Sequence, residues 1–147
     1  MNEDALKLEN QLCFPVYAAS RLITRGYQPL LDKLGLTYPQ YLVLMILWEQ
    51  DEIPVGDITQ KLILNTNTVT PLLQRMEKQG LLKRTRSKQD ERQVIVQLTK
   101  EGQELKKKAI EIPRQLVEQL AGGPLDLDDL IRLRADLGTL IKQLQKT

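Results

Sequence analysis

Histidine is absent from the chain and cysteine occurs once, at Cys13. Without histidine there is no imidazole acid or base, no Ser-His or Cys-His nucleophile pair, and few ways to build a zinc site. No Gly-rich phosphate loop is present either. These absences disfavour an enzyme, and neither a cofactor nor a metal is expected. A single cysteine cannot close an intrachain disulfide, in keeping with a reducing compartment. Aromatic residues make up 4% of the chain, so the core must be built from Leu, Ile and Val. No apolar run is long enough to span a bilayer. The polar, acidic start MNEDALKLENQ does not read as a secretory signal, and a cytoplasmic protein is expected. The net charge is only +2, so a nucleic-acid partner has to be argued from where the charges sit.

What is present suits one mainly α-helical domain over residues 1–147. Leu12, Val16, Ala19 and Ile23 at helical spacing predict a first helix from about Ala5 to Arg25, ended or weakened by Gly26. A short helix should follow Pro29 and stop near Gly35. Thr37 is placed to cap YPQYLVLMILWEQ, apolar on most sides and therefore the buried central helix, with Pro39 tolerated in its first turn. Val55, Ile58 and Leu62 share one face of a short helix. Val69, Leu72, Leu73 and Met76 then mark a second, stopped by Gly80. Two short helices joined by a tight turn have the layout of a helix-turn-helix. Val94, Val96 and Leu98 alternate with polar or outward positions and pair with residues 82–86 in a two-stranded hairpin around the tip SKQDER. Thr99 caps a helix interrupted at Pro113. Asp126 caps a last helix whose Leu130, Leu133, Leu137, Leu140 and Leu144 form a coiled-coil-like stripe.

Opposite the apolar stripe of the second short helix lie Asn67, Pro71, Gln74, Arg75 and Lys78, with Thr66, Thr68 and Thr70 near its start. Amides, hydroxyls and cations of this kind match base edges and phosphates. The plain alternative is a solvated helix face. The hairpin tips the balance. Between residues 83 and 92 five cations (Lys83, Arg84, Arg86, Lys88, Arg92) face two anions (Asp90, Glu91), leaving the rest of the chain near neutral. A basic β finger after a helix-turn-helix can lie along phosphates or dip Arg92 into a minor groove.

TYPQYLVLMILWE and TPLLQRMEKQGLLKRTRSKQDERQVIVQLTKEG resemble the multiple antibiotic resistance regulator (MarR) family, the Asp90-Glu91-Arg92 tip followed by LTKEG being the most specific part. KLENQLCF and PLLDKLGLTYPQY are similar to the one-cysteine organic hydroperoxide resistance regulator (OhrR) branch. The resemblance covers nearly the whole chain. It implies a winged helix-turn-helix over about residues 53–98, with a two-stranded β wing. It implies a homodimer joined by terminal helices, about residues 1–35 and 99–147. One winged helix would sit on each half of a pseudo-palindromic double-stranded operator. Propensity alone would start the recognition helix at Thr70 with Pro71 as its first residue. The resemblance starts it near Thr66, which brings Asn65 and its neighbours to the DNA. It also makes Arg92 the minor-groove residue, braced by Asp90.

By the same resemblance Cys13 is the redox sensor, and Tyr27 and Tyr38 are the tyrosines that meet the thiol; Tyr17, four residues on, shares its helix face. A continuous first helix would put Tyr27 about 21 Å from Cys13 along the axis, so the Tyr27 that reaches the sulfur would come from the partner subunit. Pro15 departs from the branch, where an ordinary helix former is usual. Either it kinks the helix beside Cys13, or the helix starts near Phe14 and leaves Cys13 at its positive end, which favours a thiolate. The expected function is a repressor released from DNA when an organic hydroperoxide oxidises Cys13. With no second cysteine, the sulfenic acid would be capped by a small cellular thiol, form a sulfenamide or over-oxidise. The alternatives are a regulator that binds a small apolar or phenolic ligand, with Cys13 as packing, a thiol peroxidase, and an assembly module without DNA.

Overall fold

The computed structural model describes residues 2–146, which fall into two compact units meeting at Ile110 and Glu111. The first unit carries helix α1 (Cys13–Asp32), α2 (Tyr38–Glu49), strand β1 (Ile53–Pro54), α3 (Val55–Leu62), α4 (Thr66–Lys78), β2 (Leu82–Arg86), β3 (Val94–Leu98) and α5 (Lys100–Ala109). The second carries α6 (Ile112–Leu120) and α7 (Leu127–Gln145).

The start of α1 is not where periodicity puts it. Glu3–Leu6 and Leu8–Asn10 are short 3-10 turns, and the α-helix begins at Cys13. Pro15 is then the third helical residue, where a backbone N–H would have no helical partner, so its missing donor costs nothing. The helix also runs through Gly26 and Pro29, where the sequence predicts a break. Burial explains the difference: Leu31, in its last turn, is fully buried. The true stop is Gly35, at φ +68°, where the N–H of buried Leu36 donates back to the Leu31 carbonyl at 3.1 Å.

The local signals for α2 hold. Thr37 and Gln40 form a reciprocal capping box, Pro39 sits in the first turn, and Tyr41, Val43, Leu44 and Leu47 are buried. The helix is the centre of the unit. Ile58 of α3 and Val69, Leu72, Leu73 and Met76 of α4 complete the core. Between α3 and α4 the chain turns through Ile63 in a left-handed conformation, φ 56°, with the Leu64 N–H donating to the Thr59 carbonyl. The sheet has three strands rather than the expected two, in the order β1-β3-β2, all neighbours antiparallel. Ile53 pairs with Val96, so the short β1 ties the wing to the end of α2.

In the second unit Asp126 and Asp129 form a capping box at the start of α7. No described residue of α7 is buried, and Leu133 of its leucine stripe is 48% exposed.

Candidate nucleic-acid interface and thiol site

Helix α4 begins at Thr66 because Asn65 caps it: the Asn65 side chain accepts the Thr68 N–H at 3.1 Å and the Thr68 hydroxyl at 3.2 Å. Pro71 is thereby interior, on the exposed side. Asn65 and Thr68 are thus engaged with each other at the helix start. Asn67, Gln74, Arg75 and Lys78 lie on the exposed face, and Thr66 is exposed at the first turn.

The wing is stiffened from within. Arg86 donates from Nη1 to the Glu91 carbonyl at 2.8 Å across the hairpin, and the Ser87 hydroxyl accepts the N–H groups of Gln89 and Asp90 at 3.2 Å. Asp90 takes both the backbone N–H and the Nε–H of Arg92 at 3.1 Å, and those bonds hold its carboxyl below the usual carboxylate range. The Arg92 side chain is 91% exposed, so Asp90 aims it without covering it. Lys88 is exposed at the tip.

Arg84 differs from the other wing cations. Glu77 of α4 accepts its backbone N–H at 2.7 Å and its Nη2 at 3.2 Å, leaving the buried Nε without a partner. It fastens the wing to the recognition helix. By sequence alone Glu77 reads as one more solvated charge, and no local signal marks it. Thr66 and Thr70 of α4, Arg84 and Arg92 of the wing, and Asp57 of α3 line one cleft of about 400 Å³. The recognition helix and the wing therefore present a shared polar and cationic surface.

The aromatic residues gather elsewhere. Tyr27 of α1 packs on Tyr38 and Tyr41 of α2, with ring centroids 5.0 and 5.8 Å apart. Burial, then the neighbouring Tyr38 and Tyr41 hydroxyls, push the Tyr27 phenol up to about 12. Burial also raises Tyr38, and burial with Tyr38 raises Tyr41. These hydroxyls stay protonated at neutral pH and can act as donors. Cys13 is exposed at the first residue of α1. The helix between it and Tyr27 is continuous, so fourteen residues separate them by about 21 Å along the axis. Within one chain the thiol and the tyrosine pair are not brought together. Tyr17 is exposed, with the Arg21 guanidinium 4.6 Å from its ring centroid. Among the described residues no cluster of His, Cys, Asp or Glu is placed to hold a metal, and no helix is long and apolar enough to cross a membrane.

A family model described as transcriptional regulator SarA/Rot matches residues 25–109. The organic hydroperoxide resistance transcriptional regulator of Bacillus subtilis is 48% identical over 143 residues, covering 97% of this chain and 95% of its own. The structure of reduced AbfR bound to DNA, a protein of Staphylococcus epidermidis, superposes with a TM-score of 0.82 at 34% identity, covering 99% and 98% of the two chains. Overoxidized AbfR bound to DNA superposes at 0.79 with 35% identity, covering 98% and 99%.

Proposed function

Because the chain belongs to the MarR family of winged-helix transcriptional regulators, in the company of the organic hydroperoxide resistance regulators, we propose that it is a homodimeric repressor. It holds a pseudo-palindromic operator while Cys13 is reduced and releases it when an organic hydroperoxide oxidises that thiol. The observation that carries this reading is the placement of the chain's one cysteine, exposed at the first residue of a 20-residue helix. The helix dipole favours an anion at that end.

The chemistry is a two-electron oxidation. The thiolate sulfur attacks the terminal peroxide oxygen, the O–O bond breaks, and the departing alkoxide takes a proton to leave as an alcohol. Sulfur is oxidised to the sulfenic acid and the peroxide is reduced. The Tyr27 and Tyr38 hydroxyls meet the sulfur of the partner subunit's cysteine across the dimer, since the same-chain distance is too long. With no second cysteine in the chain, the sulfenic acid passes to a mixed disulfide with a small cellular thiol, a sulfenamide or a higher acid. New bulk or charge at a dimer contact then shifts the two winged helices relative to each other and breaks the match to both half-sites.

The DNA is held in parts. The exposed face of α4 with Thr66, Asn67, Thr70, Gln74, Arg75 and Lys78 enters the major groove. Asn65 and Thr68 shape its entry. Arg86 and Lys88 run along phosphates, and Arg92 reaches the minor groove from its Asp90 brace. The exposed leucines of α7 and the apolar residues around Cys13 (Leu12 at 69% and Phe14 at 41% exposure) are covered by the second copy.

Cys13→Ser tests the reading in a gel shift. The variant binds operator as the wild type does and stays bound when an organic hydroperoxide is added, while the wild type dissociates and recovers with reductant. Release of the serine variant by peroxide would make Cys13 a packing residue.

A further inference from the structure

The aromatic cluster does not end at the tyrosines. Tyr41 meets Trp48, two turns further along the same helix, with ring centroids 6.3 Å apart and the rings edge to face. Trp48 is the only tryptophan in the chain. Its indole N–H donates to the Gly102 carbonyl of α5 at 2.9 Å, and its own carbonyl accepts Lys106 Nζ at 3.1 Å.

Gly102 is at a place with no slack. A Cβ there would lie 2.1 Å from the Leu81 carbonyl oxygen. That same oxygen accepts the Thr99 N–H at 3.1 Å, and the Thr99 hydroxyl donates to the Gly80 carbonyl. Leu81 immediately precedes β2 and Thr99 immediately follows β3, whose end residues Leu82 and Leu98 pair with each other. Asp51, three residues after Trp48, accepts the Leu98 N–H at 2.9 Å. The end of α2 therefore grips both strands of the wing at their root.

We propose that Trp48 is a positioning residue that passes a change at the Tyr27–Tyr38 pair to the root of the wing, through Tyr41 on one side and the Gly102 carbonyl on the other. This rests on the redox reading above and adds the route by which oxidation moves the DNA-binding surface. Rings packed at these distances move together, because a close-packed interior shifts between arrangements rather than deforming. The indole N–H gives the contact a direction, and the close approach of Gly102 to Leu81 gives it nowhere to relax except along the strands. An indole that only filled space here would influence stability and leave the response to oxidation untouched.

Trp48→Phe keeps a ring and removes the donor. Trp48 is only half-buried, so water can take the vacated carbonyl and the fold survives. Cys13 should be oxidised by an organic hydroperoxide at the wild-type rate, and the reduced variant should bind operator near the wild-type affinity. The drop in affinity on oxidation should shrink by about tenfold, within the usual range of coupling between sites. A variant that releases operator as fully as the wild type overturns the proposal. The intact protein gives a second measurement that does not depend on the variant folding. The fluorescence of the lone Trp48 should change when hydroperoxide is added to wild-type protein and not to Cys13→Ser. An unchanged spectrum in a wild type that does release DNA overturns the coupling alone. A wild type that never releases DNA overturns the redox reading, and the coupling with it.

Discussion

One carboxylate of the recognition helix holds two groups of one wing residue: Glu77 accepts the backbone N–H of Arg84 at 2.7 Å and its guanidinium at 3.2 Å. The wing is therefore not free to swing about the helix it follows. Glu77→Ala should lower folding stability by about 1–2 kcal/mol, toward the low end for a charge-assisted pair because the carboxylate is 37% exposed. It should also leave the guanidinium, already short of a partner at Nε, poorly satisfied. Urea unfolding checks this: an unchanged midpoint would mean the pair contributes nothing to stability.

Arg92→Ala should weaken operator binding and leave the oligomeric state alone. The substitution removes one cation from each half-site of the dimer. The slope of log affinity against log salt should fall in magnitude by roughly 1.8, at about 0.9 for each phosphate no longer neutralised. Filter binding across a salt series measures it. Asp90→Ala should produce part of the same weakening, since Arg92 keeps its charge without its brace; equal affinity to wild type would show that Arg92 needs no aiming.

The tyrosine cluster predicts a fall in stability in alkali. An unfolded phenol titrates near 10, whereas the folded Tyr27 is held up to about 12. Between those values the unfolded chain gives up its proton first, so unfolding gains as pH rises. The contribution is whole below about pH 10 and is lost as pH climbs through about 12. Tyr27→Phe removes one titrating group, so its stability should fall less steeply over that window than that of the wild type. Urea midpoints on both sides of the window decide it, and parallel curves would count against a raised Tyr27.

Leu133→Lys puts a charge in the leucine stripe of α7 without touching a buried residue of its own chain. It should convert the dimer to monomer at micromolar concentration and abolish operator binding with it, because one winged helix spans only a half-site. Light scattering reads the mass directly. A variant that remains dimeric would move the interface off this stripe.

The features that sequence alone determined are those set by neighbours a few positions apart. A cap joins residue i to i+3, so Thr37 with Gln40 and Asp126 with Asp129 announce their helices wherever the chain goes. The alternation of Val94, Val96 and Leu98 marks a strand in the same way, and the missing histidines exclude a chemistry whatever the fold. The recognition helix was half legible. Pro71 spoke for a late start, and the early start that the Asn65 cap secures followed from family resemblance rather than from propensity. Tertiary structure decided the rest. The first helix crosses Gly26 and Pro29 because fully buried Leu31 stabilises it beyond them, a gain no local propensity contains. A two-residue strand such as Ile53–Pro54 has no period to detect; it exists because Val96 lies across from it. Glu77 and Arg84 meet, and Tyr27, Tyr38, Tyr41 and Trp48 gather, because of where helices cross and where the hairpin folds back. Such meetings depend on the packing of distant segments, and side-chain spacing along the chain carries no record of them.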